Sequence, residues 1–212
     1  MNGPLQLRIG SLFSGIGGLE LGLEWAGLGR TVYQVESDPF AREQLARHWP
    51  GVHQEHDVRT VNPSKLPACD ILCGGFPCTD LSVAGVGGSR LGLQGPGSGL
   101  WSHMARVIEA QRPDWVVVEN VARGWKRWLP SVRSDLRRLG YGASLPIPLE
   151  ARVCGAPHIR QRIFLVAHAD GQPLRKLEQR VPRGRSQGLR DEGQAEPLGH
   201  GRHEGWDAQP PL

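Results

Sequence analysis

The stretch LRIGSLFSGIGGLELGLEW, Leu7 to Trp25, decides the fold class. Leu7 to Phe13 is an apolar run of strand length, ended abruptly by Ser14-Gly15-Ile16-Gly17-Gly18. From Leu19 to Trp25 the apolar residues recur at helical spacing, and Gly27 is the stop signal. Strand, glycine-rich turn and helix in that order open an α/β sheet. Backbone N–H groups at such a turn, with the helix N-terminus behind them, suit an anionic or carboxylate-bearing cofactor. The G-x-G-G spacing departs from the dinucleotide G-x-G-x-x-G, so a tight turn without a ligand is an equal reading of the glycines alone.

The same alternation continues outward. Thr31 to Val35 reads as a second strand, and Asp38-Pro39 as an N-cap and first helical turn. Ala41, Leu45 and Trp49 then form one helical stripe until Pro50. Asp70 to Cys73 and Trp115 to Val118 are short, apolar runs of the kind found in buried parallel strands. Between them Leu100 to Ile108 is helical, with Gly99 before it and Pro113 after; Val132, Leu136 and Leu139 form a later stripe closed by Gly140. Ile163 to Ala167 is the last strand-like run. Strands alternating with helices predict an α/β, mostly parallel, doubly wound sheet. Ligands of such sheets bind beyond the carboxyl ends of the strands, where Phe13, Glu36, Cys78 and Glu119 fall. Loops collect polar residues in any protein, so their position alone does not decide a role.

Composition bounds the rest. A chain of 212 residues with net charge +4 suits one ordinary domain and tolerates an anionic partner without requiring one. Only Lys65, Lys126 and Lys176 are lysines, and the arginine excess fits a GC-rich genome as well as DNA binding. No apolar run approaches the ~18 residues of a membrane span, and Met1 to Arg8 lacks signal-peptide order, so a reducing cytoplasm is expected. Cys69, Cys73, Cys78 and Cys154 form no C-x-x-C pair, which speaks against structural zinc; His53 and His56 lack a third ligand, so no metal is expected. Residues 1–170 are assigned to a catalytic domain. From 171 to 212 the large aliphatics are sparse and charges nearly cancel, a composition too polar to offset backbone ordering at ~1–2 kcal/mol per residue. That tail is read as low-order or partner-dependent.

Individual residues then invite chemistry. Glu36 follows Gly17 by roughly the 20 residues that place an acid on a ribose, and Asp57 is set to accept from an adenine amino group. Each acid alone reads first as a helix cap or a solvated charge; the glycine turn and these two acids, at three successive strand ends, favour a nucleoside-bearing cofactor. In Gly74-Gly75-Phe76-Pro77-Cys78-Thr79-Asp80-Leu81-Ser82, Cys78 follows a proline and opens a glycine-rich loop. A thiol there is placed for exposure and for thiolate character. Cys69, Cys73 and Cys154, in or beside apolar runs, read as small buried hydrophobes. Glu119, closing an apolar strand, is expected to be partly desolvated and to hold its proton near neutrality; a capping acid for the next turn is the alternative. Trp125-Lys126-Arg127-Trp128 reads as a helix packing its tryptophans inward rather than as a nucleic-acid contact.

Taken together, Phe13-Ser-Gly-Ile-Gly-Gly, Glu36, Asp57, Gly75-Phe-Pro-Cys78, Glu119-Asn-Val and Gly155-Ala-Pro-His-Ile-Arg160-Gln-Arg162 resemble, in order, the motifs of the cytosine-5 DNA methyltransferase family. The resemblance runs from about Arg8 to Ala167. It implies a Rossmann-like S-adenosylmethionine-dependent methyltransferase fold, DNA as substrate, a flipped-out cytosine, and a restriction-modification setting in a prokaryote or phage. Cys78, Glu119, Arg160 and Arg162 are then the catalytic residues. Phe13, Gly15, Gly17, Gly18, Glu36, Asp57, Pro77 and Leu100 would line the S-adenosylmethionine site, and Ser82 and Arg90 would contact the nucleic-acid backbone.

Three features depart from the family's pattern. Thr79 stands where many members have Gln, and His158-Ile159 where Gln and a basic residue are usual. Beyond Ala167 there is no recognisable target-recognition region and no final block with its Gly-Asn turn. The resemblance therefore admits an active DNA methyltransferase, a catalytic half needing a second polypeptide, a non-catalytic remnant, or an RNA cytosine-5 methyltransferase.

Overall fold

A computed structural model of the chain describes residues 7–77 and 99–169. The first strand, β1 (Leu7–Leu12), is followed by α1 (Gly18–Trp25), β2 (Gly29–Val35), α2 (Pro39–His48), β3 (His53–Glu55) and β4 (Ile71–Gly74). Then come α3 (Leu100–Gln111), β5 (Trp115–Val121), α4 (Trp125–Arg138), β6 (Tyr141–Ala143), β7 (Ile147–Glu150) and β8 (Gln161–Ala169). The local signals act as read. Asp38 Oδ1 accepts the Ala41 N–H at 2.8 Å with Pro39 in the first turn, and Leu45 of the predicted stripe is fully buried.

The strands form one eight-stranded sheet in the order β3-β2-β1-β4-β5-β8-β6, with β7 also on β8. Pairs among β1 to β5 are parallel, and β1 lies between β2 and β4, so the strand order reverses there. β8 is antiparallel to β5, β6 and β7. The run Ile163 to Ala167 is thus a strand, but it enters in the opposite sense from the β4–β5 crossover. The chain has already turned back through the β7 hairpin, because Glu150 pairs with Gln161. Strands β6 and β7 have no clear sequence signature. Pro146 and Pro148 interrupt the alternation of Leu145, Ile147 and Leu149, which is the pattern of an edge strand.

β6 and β7 together make that edge, with one extra residue between them: Ala143 opposes Ala167, whereas Ile147 opposes Phe164. The insertion is a β-bulge. Ser144 bridges it, donating its N–H to Val166 O at 2.8 Å and accepting the Val166 N–H on Oγ at 3.2 Å.

Alternation along the strands sorts side chains onto two faces. One carries Leu12, Tyr33, Val35, Leu72, Val116, Val118, Ile163, Leu165 and Ala167 into the main core with residues of α3 and α4. The other buries Leu7, Ile9, Ile71 and Cys73 beneath Leu19 and Leu23 of α1. Trp128, Val132 and Leu136 are the buried face of α4, as the stripe predicted, while Trp125 is only partly buried.

Candidate active site

All the parallel strands end on one edge of the sheet, and the antiparallel β8 starts there. The first turn is held from three sides. Gly15 donates its N–H to Glu36 Oε2 at 2.7 Å, so the acid after β2 grips the loop after β1. Ser14 N–H donates to Val35 O, and Gly17 N–H to Ser14 O. Gly17, the N-cap of α1, has φ +91°, and a β-carbon there would stand 2.3 Å from the Trp49 ring. Only glycine fits both demands. Phe13 also has positive φ, 56°, a cost that a non-glycine residue carries where the surroundings over-determine it.

A cavity of about 350 Å³ opens beside this turn. Among its lining residues are Phe13, Glu36, Asp57, Pro77 and Leu100, five of the eight residues expected at a cofactor site. Gly15 is tied to it through Glu36; Gly17 and Gly18 stand at the N-cap and first residue of α1. Val35 and Val58 add apolar wall. Glu36 keeps its orientation by also accepting the Asp38 N–H on Oε1 at 2.8 Å. Asp57 carries a partner that its sequence context did not reveal. Arg59, another lining residue, forks onto both its carboxylate oxygens, and that bond holds the Asp57 carboxyl below its ordinary range.

Next to the cavity, the Gly75–Pro77 loop leaves β4. Phe76 is buried against Trp101 and Trp128, with ring centroids 5.6 and 5.8 Å away. Asn120, buried on β5, donates from Nδ2 to Phe76 O at 2.9 Å and pins the loop to its neighbour strand. Asn120 thereby has a positioning role not assigned from its place in the Glu-Asn-Val triplet. Glu119 does not close its strand or cap a turn: β5 continues to Val121. Its carboxylate lies over Gly75, where a β-carbon would come within 2.6 Å of Oε2. Arg162 of β8 holds it from the other side, Nε to Oε1 at 2.7 Å. The register explains the pair, since Val121 opposes Arg162 and Glu119 is on the same strand face one step back. Burial pushes the Glu119 pKa up; the positive charges of Arg162 and Arg160 oppose that rise.

Cys78, Ser82 and Arg90 lie outside the described residues. Of the other thiols, Cys69 and Cys73 are buried as expected, and burial pushes their pKa up, Cys69 to about 11. Cys154 corrects its assignment as a buried hydrophobe. It is exposed, because its apolar neighbourhood is the connection between β7 and β8, where Val153 is exposed too. Among the described residues no three His, Cys, Asp or Glu groups converge as a metal site, and no helix is long and apolar enough to cross a membrane.

Comparison with known proteins places this geometry in a family. The model for C-5 cytosine-specific DNA methylases matches residues 7–198. Type II methyltransferase M2.BsuMI of Bacillus subtilis is 38% identical over 171 residues, 76% of this chain and 42% of that protein. Type II methyltransferase M.HhaI of Haemophilus parahaemolyticus is 32% identical over 164 residues, 76% of this chain and 48% of that protein. A DNA modification methyltransferase encoded within an E. coli prophage superposes with TM-score 0.62 at 26% identity, over 81% of this chain and 48% of the other. The Dnmt2 methyltransferase of S. pombe has the same fold, with TM-score 0.60 at 21% identity over 79% and 50%. The chain thus spans about half the length of these relatives.

Proposed function

The chain belongs to the C-5 cytosine-specific DNA methylase family, and from that premise we propose that it supplies the catalytic half of an enzyme methylating carbon 5 of cytosine in DNA. One observation carries the reading. The short Gly75–Pro77 loop lines the cavity with Phe13, Glu36, Asp57 and Leu100, touches Glu119, and leads directly into Cys78. In this reading a cofactor pocket, an acid and a nucleophile are joined by one short segment.

The residues present fit S-adenosylmethionine. The cavity has apolar walls for an adenine, a carboxylate at Glu36 for ribose hydroxyls and one at Asp57 for an amino group, with the Gly15–Gly18 turn beside them for the anionic end. When bound, S-adenosylmethionine supplies the electrophilic methyl that carbon 5 takes. Carbon 5 of cytosine is by itself a poor nucleophile. Cys78 as thiolate bonds to carbon 6, and the electron pair of the 5,6 double bond becomes available at carbon 5. Glu119, whose pKa burial pushes up, passes a proton to the ring at N3 and offsets the charge that develops. Arg162 fixes that carboxyl, and Arg160 adds positive charge beside the base. After methylation a base removes the carbon-5 proton, the double bond re-forms and the thiolate leaves. The target base must first be extruded from its stack, at a cost of a few kcal/mol. Ser82 and Arg90 contact the DNA backbone in this reading.

A second reading concerns completeness, and a specific observation favours it. Leu145 is 76% exposed and Ile147 and Leu149 42% each, at alternate positions of the bulged edge; Val153 and Ile159 are exposed on the adjoining connection. Contiguous apolar exposure of this kind marks a surface built to be covered. The occupant that fits is the polypeptide corresponding to the part of its relatives that this chain does not match, as a separate chain or a continuation.

A trapping assay tests both. Duplex DNA carrying 5-fluorocytosine at random sites, with S-adenosylmethionine, should give a covalent protein–DNA band, because fluorine cannot leave as a proton does. The band should vanish in Cys78→Ser. Adduct formed only after co-expression with the complementary polypeptide supports the catalytic half; no adduct in either setting overturns catalysis and leaves a binding remnant.

A further inference from the structure

Glu20 is the third residue of α1, and its side chain is fully buried beneath the glycine turn. Surface helices place acids in the first turn, where they face solvent and the helix dipole. This one points inward instead. Ser11 of β1, Ser14 of the turn and Gln34 of β2 line its carboxyl and counter the cost of its burial. Ser14 Oγ donates to Ser11 Oγ at 2.9 Å, and Gln34 Nε2 reaches Glu20 Oε1 at 3.5 Å. Yet Glu20 Oε2 and Gln34 Oε1 are both buried without a partner. The group serves neither the cavity nor the acid–arginine pair described above.

Such a cluster is a cost to the fold. An apolar side chain of similar volume would remove the desolvated carboxyl and its unpaired Oε2 from between α1 and the sheet. Breaches of this kind persist where something other than stability is served. What the cluster holds is Ser14, and Ser14 is the hinge of the turn: its N–H is fixed to Val35 and its carbonyl accepts from Gly17. The next residue is Gly15, which Glu36 grips from the cavity side.

We propose that Glu20 is a positioning residue for methyl-donor binding, setting the Ser14–Gly17 turn from beneath while Glu36 sets it from above. The inference rests on the reading of the adjacent cavity as the S-adenosylmethionine site and adds a determinant remote from its lining. Substitution should separate affinity from stability. In Glu20→Leu the affinity for S-adenosylhomocysteine, measured by calorimetry on the full chain with its complementary polypeptide, falls at least tenfold. Its urea midpoint stays level or rises. Glu20→Gln, which keeps the hydrogen bonds, binds within about twofold of wild type. Hydrogen exchange of peptides spanning residues 11–21, measured without ligand, quickens in Glu20→Leu and not in β5 or α4. Ser14→Ala, a milder change, shows the same exchange pattern should Glu20→Leu not fold.

Wild-type affinity in Glu20→Leu, a fall in affinity only in step with lost stability, or unchanged exchange at residues 11–21 in both variants would overturn the proposal. If wild type binds no S-adenosylhomocysteine while the exchange pattern appears as described, the cavity reading fails and the support of the turn by Glu20 stands.

Discussion

Two halves of one sheet edge are built by opposite means. In the β3-β2-β1-β4 half, side chains closing directly on glycines and on the backbone hold the functional turn: Glu36 on Gly15, Trp49 over Gly17, Ser14 over a buried polar cluster. In the β5-β8-β7 half, the acid is held by a long arginine side chain from an antiparallel hairpin whose outer edge is apolar and exposed. The first half braces its turn from both sides. The second is organised on its inner face only. Under the proposed function, the cofactor half gains from rigidity fixed before binding, and the half that would receive an extruded base gains from an arm that further protein can close over.

Substitutions at two glycines sharpen that contrast. Gly75→Ala puts a β-carbon 2.6 Å from Glu119 Oε2, so the carboxylate must move off its arginine. Adduct formation should fall by about a hundredfold, the lower range for a displaced general acid, while the urea midpoint changes little. Gly17→Ala is the reverse case. It combines a left-handed backbone, worth about 1–2 kcal/mol against a non-glycine residue, with a clash on the Trp49 ring. Loss of at least ~2 kcal/mol in urea unfolding, together with lost cofactor binding, is expected.

The charged pair yields a pH signature. Burial raises the Glu119 pKa and Arg162 lowers it, so Arg162→Ala allows it to rise further. If the reaction uses the neutral acid, the alkaline fall in adduct-formation rate moves to higher pH in this variant, as a stopped-time pH series would read. A shift to lower pH would exclude Glu119 as the proton donor.

Glu20 predicts a related effect on stability. Its folded pKa is raised, mainly by desolvation. A raised folded value contributes stability that is fully present below the unfolded pKa and is lost as pH rises through the folded one. Urea midpoints of wild type should decline across that interval, and those of Glu20→Gln should be flatter.

The smallest effect is expected at the apolar edge. Ile147→Ser with Leu149→Ser removes side chains that are 42% exposed, so the chain's own stability should change by no more than ~0.5 kcal/mol per site. Complementation by the proposed second polypeptide should nevertheless weaken. Unimpaired complementation would remove the edge from consideration as its seat.

How much could be read in advance differs between the halves for a physical reason. The turn at Ser14–Gly18, the cap at Asp38 and the helical stripe ending at Leu139 are local devices, whose residue types report their own backbone geometry. Glu36 was legible because its distance from the turn follows from strand and helix lengths. Arg59 on Asp57 was not, because any of several arginines can reach an exposed carboxylate. Nothing in the sequence separates Glu20 from a surface acid of a first turn, and only the packing of α1 on the sheet turns it inward. Asn120 and the direction of β8 depend on which strand lies beside β5.

By itself, then, the sequence determined the alternation of strands and helices, the family, and the candidate residues at each strand end. Local conformational preference and residue chemistry act over a few positions and leave their mark in order and spacing. Tertiary structure alone decided the antiparallel return of β8, the diagonal meeting of Arg162 with Glu119, the inward turn of Glu20 and the uncovered edge at β7. Those outcomes depend on contacts between residues far apart in the chain, whose pairing is selected by the register and burial of the whole sheet.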